Sequence, residues 1–144
     1  MMVFAVKYRL GMIGREWRES LFAVIGATLS TMEGVTPIKI GGTKDHVHVL
    51  FSTRGIVPEA EVMRKAKSES SLWVNQNNLT LGRFGWQEGG ARFSYSSWDI
   101  ERLKRYVETQ EEHHRHFSFR EELERMYQAA HYQPARYDLP EELK

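Results

Sequence analysis

The stretch His46-Val47-His48-Val49-Leu50-Phe51 places two imidazoles inside an apolar run that is typical of a buried strand. Side chains two apart on a strand lie on one face, with Cα atoms about 6.5 Å apart, so His46 and His48 can converge on one ion. The alternating Val47 and Val49 then face the core. Taken alone, a His-x-His pair is more often two polar residues that cap partners at a sheet edge. The metal interpretation therefore needs support from the rest of the chain.

Length and composition limit the class of protein. The 144 residues, 41% of them hydrophobic and 12% aromatic, suit a single globular domain over residues 1–144. No window holds the roughly 18 uninterrupted apolar residues of a membrane span, and the N-terminal segment carries Lys7 and Arg9, unlike a secretory signal. We therefore expect a cytoplasmic protein with no membrane partner.

The chain has no cysteine, which excludes disulfides, thiolate nucleophiles and cysteine-ligated zinc. The remaining ligand types suit Mg²⁺ or Mn²⁺ as well as zinc. The net charge of +1 hides an excess of basic residues up to position 105 and of acidic residues beyond it. A positive main body can attract a polyanion, but charge alone favours an ordinary mixed surface, since strong nucleic-acid binders are usually more basic.

Hydrophobic spacing predicts six elements in the order β-α-β-β-α-β. They are a strand over 3–8, a helix over 15–30, a strand over 35–40, the histidine strand after a Gly41-Gly42 turn, a helix over 58–74 and a strand over 91–96. This order is typical of the ferredoxin-like α+β fold, with an antiparallel sheet and both helices on one face. The other face is expected to stay available.

Two more helices are predicted as an extension over about 97–131. The first begins at Ser96 or Ser97 and turns Ile100, Leu103 and Val107 toward the core. The second covers about 119–130, because Ser118-Phe119-Arg120-Glu121 fits a capping box. The tail after His131 is expected to be loose.

The first added helix carries Tyr106 and Gln110, which are four apart and share one helical face, with His113 continuing the stripe. A phenol hydroxyl and an amide oxygen on that face can approach one divalent ion. By itself the spacing is weak evidence, because tyrosines on half-buried helix faces are commonly packing residues with a wet hydroxyl.

Five segments of the chain occur in an order that is more specific than any one of them. Together they resemble the single-tyrosine HUH transposases of the insertion-sequence (IS200-like) type, including the REP-associated tyrosine transposases, over roughly residues 3–131. The segments are Val3 to Arg9, Asp45 to Leu50, Trp86 to Gly89, Phe93 to Ser96 and Arg105 to His114.

The resemblance implies a metal-dependent endonuclease that cuts and rejoins single-stranded DNA, with hairpin-forming DNA as its partner. It implies that Tyr106 is the nucleophile that forms a 5′-phosphotyrosine link, and that His46, His48 and Gln110 bind Mg²⁺ or Mn²⁺. It also implies a homodimer in which the Tyr106 helix can complete the partner's histidine site. A small sheet with an exposed edge and an open face gives a physical reason to expect pairing.

The chemistry requires help for the tyrosine, whose ordinary pKa is about 10. The sequence identifies no general base, because Glu108, Glu111 and Glu112 lie on a helical acidic face of the kind that is usually solvated. Tyr95 is the main rival nucleophile, but it lies on a predicted short strand without an amide four residues on.

A different class remains open: a catalytically silent single-stranded DNA-binding protein or repressor on the same fold. Stacking on bases would then fall to Trp86 or Phe84. A metal-storing module is a poorer fit, since two histidines and one amide make an open site. The residues expected to contact DNA are Arg64, Lys65, Lys67, Arg83, Trp86 and Arg92.

Overall fold

A computed structural model of the protein describes residues 1–130, and the expected loose tail lies outside this range. The strands pair antiparallel in the order β2-β3-β1-β4, which confirms the predicted ferredoxin-like α+β fold. The elements are β1 (Met2–Ala5), α1 (Arg15–Ser30), β2 (Val35–Gly42), β3 (His46–Thr53), α2 (Glu59–Gln76), β4 (Ala91–Arg92), α3 (Ile100–Glu108), α4 (Gln110–His113) and α5 (Phe119–Ala129).

One face of the sheet forms an apolar core with α1 and α2. Phe4 of β1 and the alternating Val47 and Val49 of β3 are at most 1% exposed on this face. The Phe4 ring meets the edge of Trp86 at a centroid distance of 4.7 Å. The period-two pattern of β3 therefore buries its valines as predicted.

The other face is covered by the chain's own helices, so the expectation that it stays available is wrong. Val3 and Leu50 of the sheet pack with Leu103 and Val107 of α3 and with Leu123 of α5 in a second apolar cluster. The predicted extension thus completes the core, because an uncovered apolar face would cost the free energy of exposing it to water.

Gly41 and Gly42 were predicted as a turn but lie inside β2, and the turn falls at residues 43–45. The reason is steric: a Cβ on Gly41 would stand 2.3 Å from the backbone oxygen of Val107. The glycine lets α3 lie directly on the sheet at this point.

Two strands are shorter than predicted. Strand β1 ends at Ala5, before a short 3₁₀ turn over Lys7–Arg9 in which Tyr8 adopts the left-handed conformation at φ 61°. Strand β4 holds only two residues, so Tyr95 lies in the loop beyond it and not on a strand.

The predicted tyrosine helix is also interrupted. A 3₁₀ turn over Ser97–Asp99 precedes α3, and Thr109 separates α3 from α4 with φ −104° and ψ 29°. Helix α5 begins where the capping box predicts, with the Ser118 hydroxyl accepting from the Glu121 amide at 3.1 Å. Over residues 1–130, no helix combines the length and apolarity needed to cross a membrane.

Candidate active site

Strand β3 places both predicted histidines on the sheet face that α3 and α5 cover, the second face. There the rings of His46 and His48 lie 5.4 Å apart and are at most 1% exposed. His46 Nδ1 lies 2.8 Å from Asp45 Oδ1. Since a carboxylate only accepts, Nδ1–H donates to it and Nε2 keeps a free lone pair. The Phe119 ring stacks on His46 at 4.2 Å and fixes its plane.

Burial lowers the pKa of His46 to about 4, although the hydrogen bond to Asp45 acts in the opposite direction. The imidazole is therefore neutral near pH 7. A neutral imidazole with one nitrogen held by a carboxylate is the form that binds a metal ion.

Gln110, at the start of α4, lies against the same histidine. Its Nε2 donates to the Tyr106 carbonyl oxygen at 3.2 Å, and its Oε1 lies 3.2 Å from His46 Nε2. The half-buried Tyr106 ring lies 5.6 Å from the His48 ring. The structure thus brings all four predicted residues together within one chain.

A salt bridge fixes α4 in this position. The Arg18 guanidinium, which is 8% exposed, pairs with Glu111 and donates to the Ile13 carbonyl at 2.8 Å. Glu108 pairs with Lys39 at 3.0 Å. Glu111 and Glu108 therefore form structural ion pairs, and their partners among the described residues do not include the Tyr106 hydroxyl.

The residue that faces that hydroxyl is Glu122 of α5, which the sequence analysis missed. Its Oε2 accepts a hydrogen bond from the Tyr106 hydroxyl, and its Oε1 lies 2.9 Å from His48 Nε2 and 3.3 Å from His114 Nε2. The carboxylate is only 6% exposed. His114 was likewise not singled out.

A signal for Glu122 was present in the sequence. Phe119, Leu123 and Met126 form the buried stripe of α5, and Glu122 lies on that stripe. A carboxylate on the apolar face of a helix has to be paired, so its position marks a polar site beneath the helix.

Burial and hydrogen bonding set the ionisation states of Tyr106 and Glu122. Burial raises the pKa of Tyr106 well above its ordinary value, and the charge and hydrogen bond of Glu122 raise it further. Burial alone would raise the pKa of Glu122, but the imidazoles of His48, His114 and His46 outweigh it and lower that pKa. Glu122 is therefore an anion and Tyr106 a neutral phenol near pH 7.

The residues present fit a divalent cation. His46 Nε2 and Gln110 Oε1 are both acceptors when His46 donates through Nδ1, so no proton joins them across their 3.2 Å separation. His48 Nδ1 is buried and has no hydrogen-bond partner among the described residues. The facing lone pairs of His46 Nε2 and Gln110 Oε1 are what a cation satisfies, and His48 presents its Nε2 to the same cluster, 2.9 Å from Glu122 Oε1.

Tyr106 and Glu122 line a pocket of about 350 Å³ together with two arginines, Arg102 and Arg125. The pocket also contains Tyr95 and His113, and the His113 ring packs on Tyr106 at 4.7 Å. A pocket that combines a phenol with two guanidinium groups can receive a phosphodiester.

The predicted DNA-contacting residues do not form one group. Arg64, Lys67 and Arg92 line a groove of about 970 Å³ between α2 and β4. Lys65 lies beside α1 in a different groove, and Arg83 is exposed on the 77–90 loop.

Three of these residues have partners within the protein. Arg64 Nε donates to Glu61 Oε2 at 2.8 Å, and a second guanidinium nitrogen contacts Glu61 Oε1. Lys67 Nζ donates to the Gln87 carbonyl at 2.8 Å and to the Gly89 carbonyl, and burial lowers its pKa to about 8. The half-buried Trp86 donates to Ser70 Oγ at 3.0 Å and packs on the first core.

The fold and the site describe a ferredoxin-like domain with a buried histidine pair beside a helix-borne tyrosine. The chain belongs to the IS200-like transposase family, since the family described as "Transposase IS200 like" matches residues 1–110. That range ends at Gln110 and does not include His114 or Glu122.

A solved structure shares the fold. It is the 1.90 Å crystal structure of a candidate transposase from Deinococcus radiodurans R1, with a TM-score of 0.54 and 18% identity over 76% of this chain and 87% of that one. At this identity the likeness concerns the fold alone. No curated protein sequence matches the chain significantly.

Proposed function

We propose that this member of the family cuts and rejoins single-stranded DNA through a 5′-phosphotyrosine link to Tyr106. One observation carries the proposal: Tyr106 lines a pocket together with Arg102 and Arg125, while its ring lies 5.6 Å from the buried His48 ring. A tyrosine that only packs has no need of a buried histidine pair beside its ring and a carboxylate on its hydroxyl.

The chemical step is a reversible exchange of phosphate esters. The Tyr106 oxygen forms a bond to phosphorus, the bond from phosphorus to the 3′ oxygen breaks, and the released 3′ hydroxyl carries the proton that the phenol has given up. Because the phosphotyrosine keeps the energy of the broken ester, a 3′ hydroxyl can later attack it and rejoin the strand without ATP.

A divalent ion, Mg²⁺ or Mn²⁺, supplies electrophilic activation of the phosphate when bound. His46, His48 and Gln110 are the proposed ligands. Asp45 holds His46 in the tautomer that leaves Nε2 free, and Arg18 holds α4 so that Gln110 faces that nitrogen. These residues therefore prepare the site before DNA arrives.

Two basic surfaces suit a single strand. Arg102 and Arg125 line the tyrosine pocket, and both this pocket and the groove of Arg64, Lys67 and Arg92 reach the C-terminal end of α5. We propose that the cleaved segment enters the pocket and that the flanking DNA, including a hairpin, lies along the groove.

The experiment uses a circular single strand of several kilobases, which offers many sequences, with Mn²⁺ present. The wild-type protein should produce linear DNA and a protein–DNA band that survives denaturation. Tyr106→Phe should abolish both, with at least a 1,000-fold loss on the scale of a missing nucleophile, while Tyr95→Phe keeps them. Retained cleavage in Tyr106→Phe contradicts the proposal, and DNA binding without any adduct in the wild type supports the silent binder.

The assembly is tested by mixing variants. Two arrangements are possible: a homodimer with shared sites, as predicted, or a site within one chain, where Tyr106 lies beside its own His48. They make opposite predictions for a verified heterodimer of Tyr106→Phe with His48→Ala. A site within one chain leaves every subunit defective, so we expect no cleavage. Recovery of about half of wild-type cleavage indicates exchange of the tyrosine helix between subunits, since one of the two composite sites of each heterodimer is then intact.

The reason for expecting a dimer has also changed. The sheet face that was expected to need a partner is covered by α3 and α5. Only the edges of the sheet, β2 and β4, remain as a physical reason for pairing among the described residues.

A further inference from the structure

Glu122 is buried in the site, yet it lies beyond the part of the chain that the family match covers. Its two oxygens have different partners. Oε1 faces three imidazole nitrogens, at 2.9 Å from His48, 3.3 Å from His114 and 3.7 Å from His46, whereas Oε2 accepts from the Tyr106 hydroxyl. One carboxylate therefore joins the histidine cluster to the nucleophile.

The separations from Glu122 Oε1 to His48 and His114 are close to those of a coordination shell, and the separation to His46 is wider. Ligand atoms about 2.1 Å from a common ion lie about 3.0 to 3.4 Å from one another in octahedral or tetrahedral geometry. The ligand atoms of His46, His114 and Glu122 all lie within 4.8 Å of one another. Small side-chain movements bring this group to ligand distances.

The charge of Glu122 also favours a cation. A carboxylate that is 6% exposed is costly to bury unless charge or hydrogen bonds compensate it. Among residues 1–130, no lysine or arginine forms an ion pair with Glu122, and its ionic partners are histidines. His114 Nε2 has no hydrogen-bond partner that meets normal geometry within this range. A divalent ion satisfies the carboxylate and the imidazoles together.

We propose that Glu122 and His114 are ligands of the metal ion together with His46, His48 and Gln110. In this site Glu122 Oε1 is the anionic ligand, and Oε2 orients the Tyr106 hydroxyl next to the ion. The inference deepens the proposed function and rests on it only for the role of Tyr106. Three imidazoles favour a borderline ion such as Mn²⁺ over Mg²⁺, which prefers an all-oxygen shell.

The test is Mn²⁺ binding to the full chain without DNA, followed by calorimetry and by the electron paramagnetic resonance signal of free Mn²⁺. Glu122→Gln keeps the shape of the side chain and removes its charge, so it should weaken binding at least tenfold, and His114→Ala should weaken it several-fold. Two exposed neighbours are matched controls: Glu121→Gln and His116→Ala should stay within twofold of wild type. The wild-type protein should bind Mn²⁺ at least tenfold more tightly than Mg²⁺.

Wild-type Mn²⁺ affinity in Glu122→Gln overturns the proposal. Circular dichroism verifies that each variant is folded, and Glu122→Asp, which keeps the charge on a shorter arm, replaces Glu122→Gln if that variant does not fold. The aspartate variant should then bind Mn²⁺ several-fold more weakly, and an unchanged affinity again overturns the proposal.

The role of Oε2 has a separate measurement. At saturating Mn²⁺, His114→Ala should regain most of the rate of adduct formation, whereas Glu122→Gln should stay at least tenfold slow because the Tyr106 hydroxyl has lost its acceptor. A full rate in Glu122→Gln at saturating Mn²⁺ overturns this role. Failure of the proposed function can be distinguished from failure of this proposal. If the proposed function is wrong, Tyr106→Phe still forms an adduct, and Mn²⁺ binding without DNA is unaffected.

Discussion

The two faces of the sheet use the same strands for opposite purposes. On the face toward α1 and α2, Val47 and Val49 are fully buried in an apolar cluster. On the face toward α3 and α5, His46 and His48 are equally buried, but their neighbours are polar. Asp45 and Gln110 lie within hydrogen-bond distance of His46, and Glu122 lies within hydrogen-bond distance of His48.

The alternation of side chains along β3 separates residues that stabilise the fold from residues that form the site. Adjacent residues of a strand point to opposite faces, so β3 contributes to the first core and to the site at the same time. Burying imidazoles costs free energy of solvation, and the first core supplies the stability that offsets this cost. Substitutions on the two faces should therefore have different effects.

The largest effect is expected on the second face. His48→Ala should lower strand cleavage at least 100-fold, because it removes a proposed metal ligand, and excess Mn²⁺ should restore part of the activity. Gel-based cleavage assays with a Mn²⁺ series measure both, with the exposed His116→Ala as control. Full activity of the wild-type protein in chelator contradicts the role of the metal.

Acid should destabilise the second face of the metal-free protein. The pKa of His46 is about 4 in the folded chain against an ordinary 6.5, so the unfolded chain binds more protons in that window. Stability should be complete above pH 6.5 and fall by about 3 kcal/mol as the pH drops to 4. Glu122 acts in the same direction below pH 4.5, since its pKa is also lowered.

Urea unfolding at a series of pH values, in chelator, measures this loss. His46→Gln, which has no titrating ring, should show a shallower dependence on pH. A free energy of unfolding that stays constant from pH 6.5 to 4 contradicts the account of a neutral buried imidazole.

The first face should respond in stability alone. Val49→Ala should lower the free energy of unfolding by about 2 kcal/mol, from two buried methyl groups and the cavity they leave. Mn²⁺ affinity should stay within twofold of wild type, because Val49 points away from the histidines. A large loss of Mn²⁺ binding in the folded variant removes the distinction between the faces.

The sequence predicts the regular parts of this molecule well. Helix α1 has the predicted bounds of 15–30, because its apolar spacing is unambiguous, and the His46 strand and the Ser118 cap lie where predicted. The Gly41-Gly42 pair was misread, because a glycine that permits close approach of a helix looks the same in a sequence as a turn glycine.

The residues of the site also differ in how well the sequence predicts them. That His46, His48, Tyr106 and Gln110 lie together was expected from two local spacings combined with the ordered segments that resemble the transposase family. Glu122 joins them only through the packing of α5 against the sheet, and no local spacing relates it to Tyr106, 16 residues earlier. Its position on the apolar stripe of α5 was the one available signal.

The central claim is that Tyr106 is the nucleophile, and mapping the covalent adduct tests it most directly. After reaction with single-stranded DNA, nuclease trimming and trypsin digestion, mass spectrometry locates the remaining nucleotide. We predict that it lies on the peptide of residues 106–115, which contains Tyr106 as its only tyrosine. A nucleotide on the peptide of residues 93–102, which contains Tyr95, contradicts the account.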